Sequence, residues 1–230
     1  MSERLLPVLD KGYVRLVDVM GTDLSVANAA RASFAKEHTV LQSSDERLIA
    51  FLIKHGHLSP FRHAFLSFEL RAPLLVARQL YKYIVGSDHT MEGWNESSRR
   101  YVTEEPTFYM PEQWREAPEN KKQGSGAAVD PSTSANINAR LENLIALALT
   151  EYDSLLEDGI APEQARLFLP AYGMYVTWRW SCSLQSALHL LDQRLADDAQ
   201  WETQQYAKAV AVFVEQHFPV CFKAVITNGL

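Results

Sequence analysis

The sequence predicts an α+β fold built as a single domain over residues 1–230. Three observations point there. Segments with the period of a strand, at 13–19, 64–70 and 174–180, stand among segments of helical period, and no repeat or second domain boundary is evident. The one stretch of linker-like composition, at 112–136, divides segments that have too few strands to fold alone. The chain of 230 residues with 47% hydrophobic content is long enough to bury a sizeable core.

Residues 13–19, Tyr-Val-Arg-Leu-Val-Asp-Val, are β-rich with loose alternation. Thr22-Asp23 then caps a short helix running through an alanine-rich stretch to Ser33. Ser43 with Glu46 three residues later forms a capping box, and Leu48, Leu52 and Ile53 recur at helical spacing until His55-Gly56-His57 stops them. From Ala64 to Leu70, Leu66, Phe68 and Leu70 alternate with Ser67 and Glu69, the pattern of a half-buried strand. Pro73 fits the first turn of a helix over Leu74 to Val85. On it Arg78 and Lys82 share one face, as do Gln79 and Tyr83, and such a stack reaches a single phosphate. Gly86 to Gly93 reads as a loop, and Arg100 to Thr103 with Thr107 to Met110 as extended chain.

Residues 112–136 are rich in Pro, Gly, Ser, Ala and Asn around Lys121-Lys122-Gln-Gly-Ser-Gly, which reads as a mobile insertion. Ile137, Leu141, Leu144, Ile145, Ala148, Tyr152 and Leu155 then mark a long amphipathic helix closed by Gly159. Pro162 opens a short helix carrying Arg166, and Pro170 ends it. Met174 to Trp180 is aromatic and β-branched, hence a strand. Ser183 to Gln193 has helical spacing, and Asp197 with Gln200 caps a last helix containing Tyr206, Val210, Ala211 and Val214.

Composition excludes several classes. No run approaches the ~20 apolar residues of a membrane span, and Met-Ser-Glu-Arg-Leu-Leu-Pro lacks the pattern of a secretion signal, so a cytoplasmic protein is expected. Two cysteines, Cys182 and Cys221, are too few for a disulfide framework and lack zinc-site spacing. A net charge of −6, from 22 basic and 28 acidic residues, gives no general attraction for a nucleic-acid backbone. An anion would need a local arginine cluster.

Four features carry chemistry. His55-Gly56-His57 with His63 lacks the acidic or cysteine partners of a metal site, and a turn with capping histidines accounts for it, so no metal is expected. Asn95-Glu96-Ser97-Ser98-Arg99-Arg100-Tyr101 gathers a carboxylate, two hydroxyls and two guanidiniums, which suits a polar ring plus a phosphate; a solvated turn has the same composition. Arg166 and Arg194 sit among apolar neighbours, where an arginine usually has an internal carboxylate or snorkels to water. Neither cysteine has a sequence-adjacent group that would lower its pKa.

In combination these segments resemble the flavin-dependent thymidylate synthases, the ThyX family. The resemblance runs from about Ser33 to Phe222, excepting the linker. Its most specific parts are Lys54-His-Gly-His-Leu-Ser-Pro-Phe-Arg-His63, Ala72-Pro-Leu-Leu-Val-Ala-Arg-Gln79, Asn95-Glu-Ser-Ser-Arg-Arg-Tyr101 and Arg194-Leu-Ala-Asp-Asp-Ala-Gln-Trp-Glu202. It implies a mainly antiparallel sheet surrounded by helices, and a homotetramer with active sites between subunits. Each site is implied to hold FAD and dUMP, to receive methylenetetrahydrofolate and to use NADPH as reductant, making dTMP. The family uses no enzyme cysteine as nucleophile.

Position by position, the resemblance implies that dUMP meets Gln79, Lys82, Glu96, Ser97, Ser98, Arg99, Arg100, Arg166 and Arg194. Arg194 is the implied catalytic residue, stabilising negative charge on the pyrimidine with a guanidinium that stays protonated. FAD meets Ser59, Lys82, Tyr83, Ile84, Glu96, Ser183 to Gln185 and His189. The chain departs from the family at Lys82-Tyr83-Ile84, where Arg-His-Arg is usual, at the longer spacing from there to Asn95, at Arg62, where glutamate is common, and at Asp198, where histidine is common. Such changes imply one of three outcomes: weaker FAD binding, a site rewired with the loop Ser87-Asp-His-Thr-Met91 supplying His89, or lost activity. The rival readings are a ThyX-like nucleotide-binding module without catalysis and a nucleic-acid binder using Arg78, Lys82, Arg99 and Arg100.

Overall fold

The computed structural model describes residues 4–83, 93–97, 105–118 and 124–230. Five antiparallel strands form one sheet: β1 (Leu5–Val8), β2 (Gly12–Met20), β3 (Phe65–Pro73), β4 (Gly93–Glu96) and β5 (Tyr175–Ser183), ordered β1-β2-β3-β5-β4. The helices are α1 (Asp23–Arg31), α2 (Ser43–Lys54), α3 (Leu74–Leu80), α4 (Pro131–Glu157), α5 (Pro162–Ala165), α6 (Leu184–Arg194), α7 (Trp201–His217) and α8 (Pro219–Asn228). The α+β class expected from the sequence is what the chain adopts.

Alternation sets the two faces of the sheet. On β3, Leu66, Phe68, Leu70 and Ala72 are buried while Ser67, Glu69 and Arg71 are half-exposed. The buried face meets α6, α7 and α8 in a core containing Trp178, Trp180, Tyr206 and Phe213, with the Phe68 and Trp180 rings 6.1 Å apart. The opposite face pairs charges across strands. Glu69 accepts from Arg15 on β2 (2.7 Å) and from Arg179 on β5 (2.8 Å), and both contacts hold its carboxyl below the usual range. A smaller cluster of Phe108, Tyr152, Ala165, Leu169 and Met174 ties α4 and α5 to the end of β5.

Several elements depart from the sequence expectation. The helix after Pro73 does not reach Val85: α3 ends at Leu80 and continues as a 3-10 turn over Tyr81–Tyr83. The box that starts α2 uses Gln42 and Asp45 instead of Ser43 and Glu46, because the buried Asp45 carboxylate accepts the Gln42 N–H at 2.8 Å. Asn95 and Glu96 lie on an edge strand, and two further elements, β1 and α8, were not expected at all. Residues 197–200 end in a Gln200 cap, so Asp197 does not start α7, which is not the last helix.

The stretch 112–136 carries structure at both described ends. Arg115 bridges to Ala128, the Trp114 indole N–H donates to Asn138 at 2.8 Å, and α4 already starts at Pro131 behind an Asp130 cap. Residues 119–123, with Lys121 and Lys122, lie outside the described residues.

Two buried aspartates fasten helices. Asp23, in the first turn of α1, accepts the N–H groups of Val220 and Cys221 at 3.0 and 2.9 Å, so a residue 197 positions away caps α8, whose own cap residue Phe218 has no side-chain acceptor. Asp23→Ala leaves both N–H groups buried without an acceptor and should lower unfolding stability by about 2–4 kcal/mol in urea melts. Asp45 is fully buried. Desolvation raises its pKa, yet the His38 hydrogen bond, the Gln42 N–H and Arg31 outweigh it, and the net shift is downward. A depressed carboxyl adds stability above its unfolded value and loses it as pH falls through the folded value. Stability should therefore drop below about pH 4, and Asp45→Asn should be destabilised near neutrality with a shallower acid slope.

Candidate functional site

The β3–β5 pairing brings the chemistry together. Each strand runs straight into a helix, β3 into α3 at Pro73 and β5 into α6 at Ser183. Pro73 fits this junction because it occupies the cap of α3 with extended backbone and needs no N–H there. Ser183 caps α6, accepting the Ser186 N–H at 3.2 Å. On its other edge β5 takes β4, with Glu96 opposite Trp178, and the Ser97 N–H donates to the Thr177 carbonyl at 2.8 Å.

Two clefts flank Glu96 and share Leu74. The first, about 460 Å³, is lined by Arg78, Tyr81, Lys82, Trp94 and Glu96 over Leu74 and Ala77. The second, about 490 Å³, is lined by Glu96, Ser97 and Arg166 among apolar residues that include Leu169 and Met174. Each has the size and the mixture of apolar wall and few polar groups typical of a small-molecule site. Trp94 stacks on the buried Trp178 with centroids 4.8 Å apart, and Tyr81 meets the Trp94 ring edge-on at 5.2 Å. The first cleft is thus an aromatic wall with two cations and a carboxylate. Desolvation pushes the Glu96 carboxyl above the ordinary carboxylate range.

Of the residues expected at a site, Lys82 and Glu96 meet in the first cleft, and Glu96, Ser97 and Arg166 in the second. The shortened α3 still leaves Arg78 and Lys82 on one cleft, although they no longer share a regular helical face. A second group forms beside α6. The 3-10 turn over Ser59–His63 touches α6, which carries Gln185 and His189 behind its Ser183 cap; Arg62 Nε donates to Gln185 Oε1, and the Leu184 N–H donates to the Ala64 carbonyl at 2.8 Å. Gln79 lines neither cleft; its amide donates to Gln200 and accepts from Thr203 at 3.2 Å, which holds the start of α7. Arg194, in the last turn of α6, also lies outside both; burial lowers its pKa and Asp198 opposes that. Tyr83 is on the 81–83 turn, while Ile84, His89, Ser98, Arg99 and Arg100 lie outside the described residues.

Sequence reasoning missed Trp94 and Tyr81 as site walls. Trp94 directly precedes Asn95-Glu96, and that adjacency was the available signal. Among the described residues no group of histidine, cysteine or acidic side chains could hold a metal ion, and no helix is long and apolar enough to cross a membrane.

The family model for the thymidylate synthase complementing protein matches residues 15–220. The flavin-dependent thymidylate synthase of Thermus thermophilus is 40% identical over 220 residues, covering 95% of this chain and 77% of that protein. Its Kosmotoga olearia counterpart is 37% identical over 219 residues, covering 95% and 92%. Among solved structures, a UMP/dUMP methylase, PolB of Streptomyces cacaoi, bound with 5-Br dUMP, superposes with a TM-score of 0.83 at 28% identity, covering 97% of this chain and 98% of that one. The same methylase bound with 5-Br UMP gives 0.81 at 26% identity, over the same shares of the two chains. This chain belongs to the family of flavin-dependent thymidylate synthases.

The cysteines fit a reaction without an enzyme thiolate. Cys182 and Cys221 are fully buried, and desolvation with the nearby Asp23 carboxylate drives the Cys221 thiol well above its ordinary value. Under native conditions neither should react with a thiol reagent within minutes, whereas both should titrate after unfolding. Fast native labelling would bring thiolate chemistry back.

Proposed function

We propose that this chain catalyses reductive methylation of dUMP to dTMP, taking the carbon from methylenetetrahydrofolate, with FAD as cofactor and NADPH as reductant. The observation that carries the reading is the pair of clefts joined at Glu96, cationic on both sides, in a chain of this family. Arg166 on one side and Arg78 with Lys82 on the other are spaced around one carboxylate, an arrangement suited to a nucleotide with a phosphate at one end and a ring bearing N–H donors at the other.

The donor set around α6 suits a polar dinucleotide. Ser59 offers a hydroxyl, Gln185 an amide and His189 an imidazole, and Ser183 fixes the start of α6 as its cap. These residues, with Lys82, Tyr83, Ile84 and Glu96, would hold FAD, which when bound supplies the reducing chemistry. In the same reading Ser98, Arg99 and Arg100 complete the dUMP loop with Ser97, and Gln79 meets dUMP by exchanging its amide bonds to Gln200 and Thr203 for the nucleotide. Arg194 stabilises negative charge developing on the pyrimidine, since a guanidinium stays protonated even when burial lowers its pKa. The chain works as a homotetramer with sites between subunits. Supporting this, Leu167 beside Arg166 is 81% exposed, and Phe168, Tyr172, Leu144 and Leu147 are large apolar side chains open at the surface.

One observation favours a second reading, methylation of UMP as well as dUMP: the Streptomyces cacaoi methylase is solved with a bromo analogue of each nucleotide. Turnover assayed with both nucleotides separates the two. For the main reading, absorbance spectra of the purified protein should show flavin bands near ~450 nm that shift when dUMP is added. A colourless protein that binds dUMP but neither FAD nor folate would identify a nucleotide-binding module instead. Arg194→Ala should reduce dTMP formation by at least ~100-fold, and Arg166→Ala should mainly weaken dUMP binding by about 10-fold.

A further inference from the structure

The 82–84 segment, Lys82-Tyr83-Ile84, keeps one cation where the resemblance gives Arg-His-Arg, and a guanidinium is present elsewhere. Arg62 belongs to the 3-10 turn over Ser59–His63, which is anchored by the buried Pro60 and Phe61, with Arg62 and His63 exposed. Its Nε donates to Oε1 of Gln185 at 2.9 Å. Gln185 is 6% exposed and sits in the first turn of α6, so this bond ties an exposed guanidinium to a buried, well-fixed acceptor. The neighbouring backbone bond from Leu184 N–H to the Ala64 carbonyl, 2.8 Å, fixes the same two segments side by side.

We infer that Arg62, oriented by Gln185, is a phosphate-binding residue for the flavin cofactor in this chain, replacing positive charge that Tyr83 and Ile84 do not provide. The inference rests on the reading of the chain as a flavin enzyme. With Nε committed to Gln185, the two terminal nitrogens of Arg62 have no partner among the described residues, and no carboxylate there neutralises the charge. A guanidinium held through Nε presents its remaining N–H groups as a planar fork, the geometry that matches two phosphate oxygens. Ser59 lies on the same turn, three residues before Arg62. Gln185 acts here as a positioning residue: it touches Arg62 and fixes where the fork can sit.

The test is flavin binding by the full chain, freed of flavin and titrated with FAD, FMN and riboflavin, which share a ring system but differ in phosphate. Arg62→Gln should weaken FAD and FMN binding by about 10-fold to 100-fold and leave riboflavin within about twofold. Arg62→Lys, keeping charge without the fork, should fall between. Gln185→Leu should weaken FAD less than Arg62→Gln does, and should add little to it in the double variant, because both act through one contact. Equal FAD affinity for wild type and Arg62→Gln overturns the inference, and so does an equal loss for riboflavin. Wild-type protein that binds none of the three flavins overturns instead the flavin reading on which the inference stands. Because Arg62 is exposed, its variants should keep the wild-type circular dichroism spectrum and melting temperature.

Discussion

Strand β5 is hydrogen-bonded along both edges, and the site depends on that. With β3 it makes an unbroken antiparallel register from Phe65–Ser183 to Pro73–Tyr175. Antiparallel pairing places the exit of one strand beside the entry of the other, so the β3 exit into α3 lies beside Tyr175, and the β5 exit into α6 lies beside the start of β3. The clefts at Glu96 lie against the middle of β5, where Glu96 is opposite Trp178, and the Arg62–Gln185 contact lies at its α6 end. A slip of β5 by one residue would turn Trp178 and Trp180 out of the core and Arg179 into it, so burial fixes the register and the register fixes the site.

Aromatic packing shapes the first cleft from beneath. Trp180 and Trp178 are buried on β5, and Trp94 on β4 is stacked on Trp178. β4 is a four-residue edge strand with polar Asn95 and Glu96, and such a strand has little stability of its own. The ring stack and the ladder to β5 hold it in place. Glu96 is thereby kept beside both clefts, where partial loss of water raises its pKa. A carboxylate there accepts hydrogen bonds, which suits recognition of a ring bearing N–H groups.

Two of the chain's departures from the family pattern lie on turns that both touch α6: Lys82 on the 81–83 turn after an α3 that stops at Leu80, and Arg62 on the 59–63 turn. Gln185 accepts from the Arg62 guanidinium, a contact between residues 123 positions apart. Sequence alone places these residues in separate motifs, and only the β3–β5 pairing makes them neighbours.

Periodicity made β2, β3, β5, α1, α2, α4, α6 and α7 legible, because each buries one face and each face leaves a repeat in the sequence. The family, and with it the set of residues to inspect, was legible from four ordered motifs. β1 was not, since Pro7 sits within four residues, and neither was β4, whose pairing comes wholly from β5. α8 hid because its cap is Asp23, a residue from the other end of the chain. Composition marked 112–136 as linker, yet Trp114 and Asn138 order part of it through contacts 24 residues apart. The sequence by itself therefore determined which segments are amphipathic and which motifs are present, since these are properties of neighbours along the chain. The tertiary structure decided which cation, carboxylate and ring share a cleft, because those distances come from strand pairing and burial between residues far apart in sequence.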